Sequence, residues 1–145
     1  MELDRIETEH LIGNRIQQDD IGLLYRMYTN DEVMYTLGGT KIFREAKESH
    51  AQMYEHWEKY NFGVYIFKDK VTDEFVGRGG LKKTQIEGKD EIEVLYAVMP
   101  KFWGKGLALE MAKKSIEIAF EHLNIESLIC LTWAENKKSL KVMER

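Results

Sequence analysis

Gly104 and Gly106 stand one residue apart in the run MPKFWGKGLALEMAKK, just before residues whose apolar spacing predicts a helix. Such a pair can serve a tight turn alone. It can also aim several backbone N–H groups at one point beside a helix N-terminus, where unpaired donors and the macrodipole attract an anion. A P-loop would need glycine at position 99 and Ser or Thr after Lys105, whereas the chain has Met99 and Gly106. A dinucleotide fingerprint would need a third glycine or alanine at position 109, where Leu109 stands, and would begin at the strand end rather than after Pro-Lys-Phe-Trp. A pyrophosphate cradle fits the spacing, and turn geometry alone stays open beside it.

The remaining reactive residue types offer less. Cys130 cannot form an internal disulfide, being the single cysteine, and its apolar setting SLICLTW predicts a buried core thiol. His10, His50, His56 and His122 show no metal-ligand spacing with it, so no metal is expected. The glycines of Gly77–Gly80 sit inside a strand-like run and predict a bulge or close packing.

The elements that must position these residues follow from periodicity. Ile6 to Ile16 predicts a first strand, Asp19 and Asp20 offer caps to a helix over Ile21, Leu24, Met27 and Tyr28, and LGGT reads as a loop. Ala46, His50, Met53, Tyr54 and Trp57 predict a second helix between Arg44 and Tyr60. Runs at Phe62–Phe67, Glu74–Leu81 and Glu91–Met99, separated by polar turns, predict an antiparallel meander ended by Pro100. Ala108, Met111, Ala112, Ser115 and Ala119 mark a long helix to about His122. SLICLTW then predicts a strand, and NKKSLKVMER a final helix capped by Asn136. The strand–loop–helix–strand from Glu91 to Trp133 is the one parallel unit expected.

Length bounds the chain to one domain, 145 residues with 43% hydrophobic and 32% charged, and without repeats or low-complexity segments. The formal charge of −4 disfavours a nucleic-acid partner and mildly favours a cationic small molecule or peptide. MELDRIETEH lacks the apolar stretch of a signal peptide, and nowhere do about 18 uninterrupted apolar residues occur, so no membrane association and a cytoplasmic location are expected.

The run Lys101-Phe102-Trp103-Gly104-Lys105-Gly106-Leu107-Ala108 resembles the [Q/R]-x-x-G-x-[G/A] acetyl-CoA loop of the GNAT acetyltransferase superfamily. YAVMPKFWGKGLALEMAK is similar to its RimJ/RimL-like branch of ribosomal-protein N-acetyltransferases. IETEHLIGNRIQQDD, NDEVMYTLGG and ENKKSLKVMER resemble, in order, that branch's opening strand, first interhelical loop and N-x-x-S-x-x-V-[LM]-E-[KR] helix. Lys101 departs from the pattern's Gln or Arg, which weakens a side-chain role there. The chain stops at Arg145, inside the helix after which the family has a GF turn and a final strand pair. The resemblance implies an α+β fold, a mainly antiparallel mixed sheet flanked by helices, lacking the usual C-terminal strand pair. The expected domain is 1–145, one GNAT domain C-terminally incomplete against the family pattern.

The same resemblance implies chemistry residue by residue. Two strands, EVLYAVM and SLICLTW, should splay so that the pantetheine arm of acetyl-CoA lies between them on backbone groups of Val98 and Met99. Lys101 to Ala108 should cradle the pyrophosphate, with Lys101 and Lys105 toward phosphates and Asn136 and Ser139 as further cofactor contacts. Asn136 as a plain helix cap stays open. An amine must lose a proton before it can attack, and Glu93 occupies the position of the glutamate base of several relatives, with a solvated glutamate beside Glu91 and Asp90 as the alternative. Met143 stands where many relatives place a tyrosine acid, so the thiolate must leave with help from water, from another group, or unaided. Tyr96, opposite in face to Glu93 by alternation, is expected to pack. The implied function is acetyl transfer from acetyl-CoA to a primary amine, a protein N-terminus or a small molecule, by direct attack in a ternary complex. A non-catalytic acyl-CoA sensor of the same fold is the alternative. A homodimer stays open.

Overall fold

A computed structural model describes residues 3–35, 37–131 and 139–144. The first run is a hairpin rather than the single strand expected: β1, Arg5–Glu7, pairs antiparallel with β2, Leu11–Arg15. Thr8 closes the turn, its N–H donating to the Leu11 carbonyl at 2.9 Å and its Oγ1 accepting from the Leu11 N–H at 3.1 Å. A 3₁₀ turn, Gln18–Asp20, leads into helix α1, Ile21–Tyr28. The Asp20 carboxylate accepts from the Gln17 N–H at 2.7 Å, so it ties this turn and makes no cap bond to α1.

A short helix unannounced by periodicity follows, α2, Asp31–Met34, capped where the Asn30 side chain accepts from the Val33 N–H at 3.1 Å. Helix α3, Phe43–Tyr60, buries Ala46, His50 and Trp57 along one stripe, as its spacing predicts. The Trp57 indole N–H donates to the Val64 carbonyl at 2.7 Å, pinning α3 to the sheet.

Strands β3, Val64–Asp69, β4, Phe75–Ile86, and β5, Lys89–Val98, form the expected meander, with β4 and β5 in continuous register from Gly77↔Val98 to Ile86↔Lys89. The close-packing reading of Gly77–Gly80 holds: a Cβ on Gly77 would lie 2.1 Å from the Ala97 carbonyl oxygen. After a 3₁₀ turn at Pro100–Phe102 comes helix α4, Leu107–Glu117, extended by a π-helical turn, Ile118–His122. Strand β6, Ser127–Leu131, lies parallel to β5, which makes β5–α4–β6 the parallel unit.

The last expectation is overturned. Where a helix was predicted, Ser139–Glu144 is strand β7, antiparallel to β6 from Ser127↔Glu144 to Leu131↔Ser139. Ser139, Leu140, Lys141 and Val142 alternate polar and apolar as well as they fit a helical stripe, and pairing satisfies the backbone groups of β6. Asn136, with its expected cap, lies outside the described residues.

Among the described residues the sheet has seven strands in chain order, mixed, with only the β5–β6 pair parallel. Antiparallel partners share a face. Gly79 and Tyr96 face α4, since a Cβ on Gly79 would lie 3.4 Å from the Met111 sulfur. Arg78, Lys82 and Glu93 therefore face α1 and α3 on the other side. No helix among the described residues is long and apolar enough to cross a membrane.

Candidate active site

Strands β5 and β6 pair only at Glu93↔Ile129 and Val94↔Cys130. Beyond this, β5 runs on to Val98 with its outer edge unpaired by β6. The Met99 N–H donates to the Val76 carbonyl at 2.8 Å, toward β4, and the Met99 carbonyl accepts from the Phe102 N–H at 2.9 Å. Antiparallel alternation then aims the backbone groups of Tyr96 and Val98 away from β4 and into the opening beside β6. Of the two residues expected to bind by backbone, Met99 thus has both groups engaged elsewhere. The Val98 carbonyl accepts from the Trp103 indole N–H at 2.7 Å, which leaves its N–H as the donor on this edge without a partner among the described residues.

The glycine loop sits at the mouth of this opening. Gly104 and Gly106 have φ of +77° and +76°, conformations that favour glycine, and a Cβ added at either meets nothing within 4 Å. No side chain caps the first turn of α4. Open space, two glycines in the left-handed region and helix N–H groups uncapped by any described side chain suit a pyrophosphate, so these residues fit the phosphate arm of coenzyme A. Phe102 and Leu107 instead bury their side chains in the core, while Ala108 is half-buried. The Lys101 ammonium is ion-paired with Glu74, and Lys105 lies with its Nζ 5.6 Å from the Phe102 ring centre, making Lys105 the loop cation without an anionic partner among the described residues. Asn136 falls outside the described residues, and Ser139 enters only as the first residue of β7.

On the α1/α3 face a cavity of about 570 Å³ reaches Glu93, with Cys130 and Tyr96 at the strand split and Tyr28, Ser49 and Arg78 also on its wall. Two expectations change here. Cys130 is half-buried and lines the cavity rather than closing into core, because β6 leaves β5 directly after it. Tyr96 is 40% exposed and borders the cavity rather than packing, since the split opens a path between the two faces of the sheet. Glu93 lies inside β5, opposite Lys82. Burial pushes its carboxyl above the usual range, and the Lys82 and Arg78 charges oppose that rise. Burial also raises the Cys130 thiol, with the Glu93 charge adding to it, so a thiolate is disfavoured there.

His56 forms part of the same wall but does not serve as a proton acceptor. Its Nδ1–H donates to the Phe62 carbonyl and its Nε2 accepts from the Lys83 N–H, both at 2.9 Å, which fixes one neutral tautomer. Burial lowers its pKa further. Tyr28, Lys41, Ser49, His56 and Arg78 were missed as site residues. They lie on four separate segments, and only the Tyr28 helical stripe gave any local signal.

A second cluster ties the scaffold. Glu110, in the first turn of α4, accepts from the Thr8 hydroxyl, from the His10 N–H at 2.9 Å and from His10 Nδ1 at 2.8 Å. Glu9, His10 and Glu110 bring three ligand-type atoms within 4.8 Å of one another, yet the Glu110 carboxylate is already engaged by the β1–β2 turn. The cluster explains how that turn holds the N-terminus of α4, and hence the loop, in place.

Residues 10–145 match the acetyltransferase (GNAT) domain family model, and the chain belongs to that family. It is an N-acetyltransferase that uses acetyl-CoA. An uncharacterised protein, YkkB, of Bacillus subtilis (strain 168) is 27% identical over 142 residues, covering 97% of this chain and 83% of that protein. The fold is similar to an acetyltransferase from Agrobacterium tumefaciens, with TM-score 0.81, 18% identity and coverage of 94% and 78%. It is also similar to spermidine N-acetyltransferase from Vibrio cholerae in complex with CoA and spermine, with TM-score 0.63, 17% identity and coverage of 84% and 70%.

Proposed function

We propose that the protein transfers acetyl to a primary amine by direct attack in a ternary complex, with the amine in the α1/α3 cavity and Glu93 as general base. The observation that carries this reading is the position of Glu93, on the cavity wall at one of the two register pairs that join β5 to β6. Acetyl-CoA, when bound, supplies the activated acyl group. Gly104, Gly106 and the first turn of α4 would hold its pyrophosphate, and Lys105 would offset phosphate charge. Asn136 and Ser139 belong to the proposed cofactor contacts through the family resemblance.

Glu93 would accept a proton from the acceptor ammonium, directly or through water, and a carboxyl raised by burial is better matched to that task near neutral pH. The Val98 N–H, on the open edge, would donate to the oxygen on which negative charge develops, an interaction that strengthens as the reaction proceeds. The acceptor class proposed from the RimJ/RimL-like motifs is a protein N-terminus or a small-molecule amine, in the cytoplasm.

The test incubates purified protein with acetyl-CoA and a panel of peptides and small amines, following free thiol. Acceptor-dependent thiol release supports the reading. Tight CoA binding without such release across the panel would overturn it in favour of an acyl-CoA sensor, the reading that Met143 in place of a tyrosine keeps in view.

A further inference from the structure

The chain carries net charge −4, but its cavity is cationic: among the described residues lining it, Lys41, Arg78 and Lys82 face a single carboxylate, Glu93. None of the three cations is ion-paired with a described residue. Arg78 is the sharpest case, since its Nε is the only buried side-chain nitrogen or oxygen among the described residues without a hydrogen-bond partner. Leaving such a donor unpaired is costly, and no described residue hydrogen-bonds the rest of the guanidinium, whose terminal nitrogens are the ones a ligand oxygen at the cavity wall would engage.

The cations are also grouped. The Arg78 guanidinium carbon lies 5.7 Å from the Tyr28 ring centre and the Lys41 Nζ 6.0 Å from the same ring. Tyr28 is held from behind by a 2.9 Å hydrogen bond between its hydroxyl and the Ser49 Oγ. Arg78 stands four ladder positions along β4 from Lys82, the partner of Glu93, so the Tyr28 end and the Glu93 end are about 13 Å apart along the strand at their backbones. The Arg78 charge still acts on the Glu93 carboxyl, so the two ends share one electrostatic field.

Resting on the amine-acetylation reading above, we infer that the acceptor is a small amine that also carries an anionic group, its nitrogen at Glu93 and its carboxylate or phosphate at Arg78 and Lys41. A guanidinium fork suits either anion, and fixing that end orients the nitrogen at the other. A polycationic amine would meet three like charges in the same space.

The test compares kcat/KM, by thiol release, for 4-aminobutyrate, its amide and 1,4-diaminobutane, and for phosphoethanolamine against ethanolamine. The anionic member of each set should lead its neutral counterpart by roughly 10- to 100-fold, the range of a charge-assisted hydrogen bond, with the diamine poorest. The carboxylate and phosphate sets tell which anion is preferred. In Arg78→Gln the lead should collapse, and Arg78→Lys should restore part of it. Calorimetric binding of N-acetyl-4-aminobutyrate, against its amide, should show the same loss in Arg78→Gln without any turnover. Preference for the neutral or dicationic amine, or a lead unchanged in Arg78→Gln, would overturn the inference while leaving amine acetylation intact. Absence of thiol release with every amine would instead overturn the acetylation reading, and this inference with it.

Discussion

The Trp103 indole N–H reaches back from the glycine loop to the Val98 carbonyl at 2.7 Å, bridging the residue before Gly104 to the open edge of β5. Trp103 is 48% exposed and thus reports on both the loop and the strand edge. Coenzyme A should therefore change the intrinsic tryptophan emission, and Trp103→Phe should abolish most of that change while lowering stability by about 1 kcal/mol, the worth of one hydrogen bond. A fluorescence titration checks it, and an unaltered response in the variant would show that the loop senses nothing.

Gly106→Trp should lower CoA affinity at least tenfold while the protein stays folded, because the added side chain enters open space rather than the core. The positive φ costs about 1–2 kcal/mol whichever residue is placed there. Gly88, with φ +81° and equally open surroundings in the β4–β5 turn, supplies the control. Gly88→Trp should lose similar stability with CoA affinity intact, measured by calorimetry and thermal melting.

Glu93→Gln should lower kcat by about 10²–10⁴-fold, the range for loss of a general base, and remove the acid limb of the kcat–pH profile. In the native protein that limb should lie above 4.5, since burial raises the Glu93 carboxyl. Lys82 favours the ionised form and so opposes the rise. Lys82→Met should therefore move the limb to higher pH. A limb that stays put in Lys82→Met would separate Glu93 from the titration.

The His10–Glu110 contact should stabilise the fold only within a pH window. The hydrogen bond to Glu110 raises the His10 pKa, so its contribution is complete below 6.5 and fades as pH climbs through the raised value. Burial alone would raise the Glu110 pKa, but the His10 and Thr8 hydrogen bonds outweigh it, so that contribution is present above 4.5 and fades as pH falls through the lowered value. Melting temperatures across pH 3–9 for the native protein and Glu110→Gln should differ most between about pH 4.5 and 6.5. A difference independent of pH would show a packing effect only.

Periodicity decided much of the fold. Ala46, His50 and Trp57 fixed the buried stripe of α3, and the polar turns between apolar runs fixed the meander, since both depend on neighbours three, four or two residues away. The Thr8 turn and β7 escaped because a short hairpin and a strand–helix ambiguity are settled by which edge is free to pair, a property of the assembled sheet.

For the site, the sequence by itself located the glycine loop, because two glycines, a following helix and their spacing are local facts that fit an anion cradle as well as a plain turn. Glu93 was singled out by the family resemblance, which rests on motifs that are equally local. Only the tertiary structure decided what surrounds Glu93. Tyr28, Lys41 and Arg78 come from a helix, a loop and a strand that folding brings together, and their summed charge reverses the sign of the chain as a whole. Net charge adds over all residues, whereas a ligand responds to the few charges within a Debye length of about 8–10 Å, and these are chosen by topology.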